Sequence, residues 1–218
     1  MLGYAVENYI KKSTFIRTVM TNYLKSYKWF IVLALVFQLT GCGINTIPTL
    51  DEQVKANWAQ VENNYQRRAD LIPNLVATVK GYASHEKETL TAVTEARAKV
   101  SSIQITPETL NNPQAFKQFE QAQSQLSSAL SRLMMVSERY PDLKANEQFQ
   151  TLQAQLEGTE NRIAIARRDY IESVKAFNTE IRTFPGRLWH SLMYSDLEVK
   201  PTFTATTPNA DVAPKVEF

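Results

Sequence analysis

The chain has 218 residues, with 24 Lys and Arg against 22 Asp and Glu, two His, six Gly and one Cys. A single cysteine excludes an internal disulfide framework, and six glycines leave little material for phosphate-cradling loops. The small positive charge is concentrated at the N-terminus. Removing residues 1–41 takes away five basic residues (Lys11, Lys12, Arg17, Lys25, Lys28) and one acidic one (Glu7), leaving 19 against 21. The remainder lacks the basic excess that phosphate neutralisation needs, so no nucleic acid is expected as a partner.

Lys25 and Lys28 precede the apolar run Trp29-Phe30-Ile31-Val32-Leu33-Ala34-Leu35-Val36-Phe37, and Leu39-Thr40-Gly41-Cys42 closes it. A basic stretch, a short apolar core and a small residue before the only cysteine form the pattern of a bacterial lipoprotein signal. The run is shorter than the ~20 residues a membrane-spanning helix needs. The expectation is therefore a signal peptide over residues 1–41 with its true start at Met20, and a lipidated tether over 42–48. Cys42 would carry the lipid, since two or more acyl chains hold a protein firmly where one does not. Gly43 after the cysteine favours the outer membrane, facing the periplasm. The alternative is an inner-membrane protein that retains an N-terminal helix.

The 177 residues from Cys42 onward suit one core. Thr49-Leu50-Asp51-Glu52 fits a capping box, and Val54, Trp58, Val61, Tyr65, Ile72, Leu75, Val79, Tyr82, Leu90, Val93 and Val100 come after it at helical spacing. Pro73 predicts a kink near Ala69-Asp70, or two helices laid end to end towards Ser101. Thr106-Pro107 and Asn112-Pro113 mark a turnaround with helix-start signals. A second helix then buries Phe116, Phe119, Leu126, Leu130, Leu133 and Val136 and stops before Pro141. The third has the most regular stripe, Phe149, Leu152, Leu156, Thr159, Ile163, Ala166, Tyr170, Val174, Phe177, Ile181 and Phe184, always three or four apart. This predicts an all-α fold over 49–195, an elongated antiparallel three- to four-helix bundle with coiled-coil-like packing. A short amphipathic helix is expected over 187–194, and residues 196–218 read as a flexible tail.

Three segments carry a family resemblance. They are Tyr65-Gln66-Arg67-Arg68-Ala69-Asp70-Leu71-Ile72-Pro73-Asn74-Leu75-Val76, Glu138 to Asn146 around Tyr140-Pro141-Asp142-Leu143, and Glu160 to Tyr170 continuing to Phe184-Pro185. Together they resemble the LemA family of membrane-anchored bacterial helical proteins, in order and over nearly all of the chain after Cys42. The resemblance implies an antiparallel bundle tethered to a membrane at its N-terminus, without an established enzymatic activity. Many relatives keep a transmembrane helix where this chain has a lipobox.

Chemistry is sparse. The two histidines, His85 and His190, do not form a His-Glu-x-x-His pair, and no metal or other cofactor is expected. Ser84-His85-Glu86-Lys87-Glu88 reads as a solvated helix face. Glu86 and Glu88 point about 200° apart on a helix, so they cannot share a substrate as an acid–base pair. Arg67, Arg68, Arg167 and Arg168 fit an interhelical ion-pair network with Asp70, Glu138, Glu160 and Asp169, or else a patch for an anionic ligand or partner. The partner-binding candidates are Tyr140, Pro141, Asp142 and Leu143 at one tip, Trp189 near an end, and Arg67 with Arg68. Phe184 is expected in the core. The anchor at the start of the first helix would place Tyr140 to Leu143 near the membrane and Phe184 to Trp189 at the far end. The expectation is a non-enzymatic adaptor or scaffold at the cell envelope with an unknown envelope protein partner. Alternatives are a membrane-remodelling bundle that self-associates as a homo-oligomer, and an accessory factor of an envelope hydrolase.

Overall fold

The computed structural model describes residues 43–103 and 109–203. Cys42, the signal segment, Thr106-Pro107 and residues 204–218 lie outside the described part. Among the described residues the fold is all-α, with six helices and no strand. These are α1 (Thr46–Tyr82), α2 (Lys87–Ser102), α3 (Pro113–Ser137), α4 (Pro141–Lys144), α5 (Glu147–Glu180) and α6 (Gly186–Met193). Residues Ile47–Phe218 form one compact unit, separate from Met1–Thr46.

Helix α1 begins at Thr46, three residues before the expected capping box, and passes through Pro73 without ending. Pro48 causes no break, because amides in the first turn have no helical partner to lose. Pro73 does remove a donor, the one that would serve the carbonyl of Ala69. That carbonyl receives the Arg97 Nε–H instead, at 2.9 Å. A side chain from α2 thus repairs the gap made by the proline, and the helix continues.

This contact also sets the topology. Residues 69 and 97 lie side by side, so α2 folds back along α1 through a turn at 83–86, where a continuous or end-to-end rod was expected. Gly81 lowers helix propensity just before the turn, and Ser84-His85 sits at its tip rather than on a helix face. The extra reversal inverts the direction of the later helices. Helix α3 runs parallel to α1, with Phe116 against Trp58 and Phe119 against Tyr65. Helix α5 runs antiparallel, with Asn57 bonded to the Asp169 carbonyl and Arg68 to Glu160. Side-chain caps start both: Asn112, at the expected start signal, accepts from the amides of Gln114 and Ala115, and Asn146 accepts from Phe149.

Taking the N-terminal end of α1 as the lower end, the α1–α2 turn and the α3–α5 turn share the upper end. There Tyr140 Oη donates to Glu86 at 3.3 Å and Asn146 Nδ2 to Tyr82 Oη at 3.0 Å. Tyr140 to Leu143 is therefore at the opposite end from the start of α1, and Phe184 to Trp189 lies at the same end. The expected placement is reversed.

The buried stripes form two clusters. The upper one holds Ile72, Leu75, Val79 and Leu90 with α3 from Ala122 to Val136 and α5 from Phe149 to Leu156. The lower one holds Ile47 to Tyr65 with Phe116, Phe119, Ile163 to Ile181 and Phe203. No residue of α2 joins the lower cluster, because α2 has 16 residues against the 37 of α1. Residues 194–203 complete it instead. Phe203 lies 4.9 Å from Phe116 and 5.6 Å from Tyr170, ring centre to ring centre, with the Arg167 guanidinium 4.2 Å from its own ring centre. The expected flexible tail is not found as far as residue 203, since Lys200 and Phe203 are buried.

Candidate functional site

Arg68 separates the two clusters. Its stripe neighbours are apolar, yet it is the largest fully buried side chain among the described residues, 1% exposed. An unpaired charge at such depth would cost several kcal/mol, so its partners decide whether the bundle tolerates it. One terminal nitrogen donates to Glu160 Oε1 at 2.8 Å and to Ser127 Oγ at 3.0 Å, and the other donates to Gln123 Oε1. The guanidinium therefore ties α1 to α3 and α5 in one layer. Its Nε has no partner.

Beside it is a cavity of about 150 Å³ lined by Tyr65, Arg68, Glu120, Gln123, Glu160 and Arg167. Burial raises the Tyr65 hydroxyl pKa, although Arg167 and Arg68 pull the other way. The phenol stays protonated and acts as a hydrogen-bonding group. The expected ion-pair network is thus one interhelical pair, the buried Arg68 with the half-buried Glu160. Arg67 is exposed, Asp70 accepts from Gln66, Glu138 pairs with Lys144, and Arg168 reaches only the adjacent Asp169, at 3.3 Å on the surface.

A fully buried ion pair fastens the C-terminal segment. Lys200 Nζ lies 2.9 Å from Asp51 Oδ1, with both side chains buried, and donates to Asn111 Oδ1 at 3.0 Å. The backbone of Lys200 pairs with the Asn178 amide in both directions, and Tyr170 Oη donates to the Pro201 carbonyl. Burial pushes the Asp51 carboxyl up, but the hydrogen bonds and charges of Lys55 and Lys200 outweigh it and hold the pKa below the ordinary value. Neither Asp51 nor Lys200 was singled out in the sequence, since each lies in an ordinary charged stretch.

The two ends divide the remaining candidates. At the upper tip Pro141 and Asp142 are exposed and Tyr140 is half-buried, whereas Leu143 is a fully buried plug of the upper core and is not available to a partner. At the lower end Trp189 is half-buried against the lower cluster, and Phe184, expected in the core, is 85% exposed. The stripe ends at Ile181 because α5 stops at Glu180 and the chain turns tightly into α6. Gly186 makes that turn possible, as a Cβ there would collide with the Glu180 carbonyl oxygen. His85 is exposed, and a His190 ring nitrogen lies 2.8 Å from the Leu197 carbonyl oxygen. Among the described residues no three His, Cys, Asp or Glu converge as metal ligands, and no helix is long and apolar enough to cross a membrane.

These features define an all-helical bundle with three full-length helices, one half-length helix, and a charged layer at mid-height. The model of the LemA family matches residues 57–218, three-quarters of the chain, which spans the charged layer and both turns of the upper tip. The chain belongs to the LemA family. It is 32% identical over 119 residues to a protein named LemA of Metamycoplasma hominis, covering 55% of this chain and 50% of that protein. It is also 27% identical over 166 residues to the magnetosome proteins MamQ 1 and MamQ 2 of Paramagnetospirillum magneticum, covering 69% of this chain and 60% of each. The chain thus spans about half to three-fifths of the length of these relatives.

Proposed function

We propose that this LemA-family protein is anchored to a bacterial membrane by lipid on Cys42, and that its bundle works without catalysis as an adaptor or scaffold facing the periplasm. The observation that carries this reading is the separation between tether and tip. Only residues 43–45 lie between Cys42 and α1, and 37 helical residues at about 1.5 Å each make α1 roughly 55 Å long. Pro141 and Asp142 then stand one bundle length from the start of α1, on a turn held by the buried Leu143 and the Lys144–Glu138 ion pair at 2.6 Å. The mid-height polar groups support the same reading, because Arg68, Gln123, Ser127 and Glu160 spend their hydrogen bonds joining helices.

Photo-crosslinking residues at Asp142 and, as an exposed control on the lower half of the bundle, Lys117 test the proposal in intact cells. Adducts to envelope proteins are expected at Asp142. Adducts at Lys117 with Asp142 silent would overturn the adaptor tip.

A further inference from the structure

Nine large hydrophobic side chains are exposed among the described residues, and five of them, Phe184, Leu188, Leu192, Met193 and Val199, fall within one 16-residue stretch at the lower end. Isolated exposed apolar residues are ordinary, whereas a contiguous cluster marks a surface that something covers. Leu188 and Leu192 are four apart on α6, hence on one face of it, and Phe184 is exposed in the turn that leads into the helix. The opposite face docks on the bundle through buried Gly186, half-buried Trp189 and the His190–Leu197 contact. An eight-residue helix is too short to form alone in water. Here the bundle holds it folded with its apolar face outward.

From this arrangement we infer that α6 is a membrane foot: Leu188 and Leu192, with Phe184 in the turn before them, insert into the interfacial region of an anionic lipid bilayer and hold the lower end of the bundle against it. Two observations select lipid as the occupant. The face lies at the end of the bundle where α1 begins, and the chain reaches α1 from the apolar run 29–37 and Cys42, so the lower end is tethered close to whatever that run enters. The flanking charges are complementary as well. Arg182 and Arg187 are exposed beside the face, while the Glu180 carboxylate is turned against Gly186 at the start of α6 and Asp196 and Glu198 come on the return segment after it. An amphipathic helix with exposed Leu on its outward face and Arg beside it is suited to the headgroup boundary, and each basic residue at an anionic surface is worth about fivefold in affinity.

The inference rests on the membrane-anchored reading, and one experiment separates their failures. The full chain carries an environment-sensitive fluorophore, attached through a genetically introduced alkyne residue at position 192, 188 or 142, and is reconstituted with vesicles of phosphatidylethanolamine and phosphatidylglycerol. Flotation reports anchoring, and quenching by lipids bearing a nitroxide high in the acyl chain reports insertion. Strong quenching is expected at 192 and 188 and none at 142. Arg182→Gln with Arg187→Gln should weaken insertion by roughly 25-fold at low salt while flotation persists. A chain that floats with 192 and 188 no more quenched than 142 overturns the foot alone, and a chain that fails to float overturns both readings. Emission at 192 that shifts with protein density but ignores the lipid quencher assigns the face to a second copy, and likewise overturns the foot.

Discussion

Replacing Arg68 by Met tests what the charged layer contributes. The substitution keeps most of the side-chain volume and removes the donors to Glu160, Ser127 and Gln123. The three acceptors do not suffer equally. The Glu160 side chain is 44% exposed and can turn to water, and Ser127 is half-buried and can rotate. Gln123 is buried and would lose the partner of its carbonyl oxygen. A buried polar group left unsatisfied costs about 1–3 kcal/mol, partly offset by the apolar thioether that replaces the guanidinium. The expected loss is therefore about 2 kcal/mol, below the ~3–5 kcal/mol of breaking a fully buried ion pair. Urea unfolding of residues 43–218 followed by far-ultraviolet circular dichroism measures it, and the midpoint of thermal unfolding should fall by about 4–8 °C. Adding Gln123→Leu should recover most of the loss, since an apolar pair can replace a polar one nearly neutrally. A double variant as unstable as Arg68→Met alone would refute the assignment of the cost to Gln123.

Other substitutions probe the rest of the fold. Phe177→Ala, at a fully buried position, should cost about 3–5 kcal/mol, and a loss under ~1 kcal/mol in the same unfolding assay would place that stripe outside the core. Arg97→Ala should cost about 1–3 kcal/mol by leaving the Ala69 carbonyl without a donor. The penalty should shrink in a Pro73→Ala background, where a backbone amide returns, and an equal penalty in both would refute the repair. Asp51→Asn should destabilise at neutral pH. Because the folded carboxyl has a lowered pKa, its contribution is complete above the ordinary value of about 3.9 and is lost as pH falls through and below it, so the wild-type advantage should vanish in acid. Metabolic palmitate labelling should mark the wild type and not Cys42→Ser, and equal labelling of both would refute lipidation.

The helical class and most of the core were legible because each apolar stripe keeps one period for many turns; Phe177, Ile163 and Leu156 are buried as their spacing predicts. What the periodicity could not carry was direction. The stripe continues in phase from Val79 to Leu90, so a reversal at 83–86 and an end-to-end rod look the same along the chain. Pro73 was the more conspicuous breaker, yet it is the one that long-range chemistry overrides through Arg97. The same difficulty hid the site. Arg68 belongs to a polar run, Gln66-Arg67-Arg68 with Asp70 close behind, and only the register of α1 against α3 and α5 decides that Arg68 turns inward while Arg67 faces water. Residues 194–203 carry too few apolar residues to announce burial, and Phe203 acts singly, in a gap that exists because α2 is short.

That gap has a consequence for biogenesis. Phe203 meets Trp58 across 145 residues of chain, so the contact that closes the lower aromatic cluster is among the last a growing polypeptide can make. The upper half depends on nothing beyond Leu156 and can assemble early. The lower half must wait for the C-terminal segment to arrive, and until then its rings stay open to water or to a chaperone.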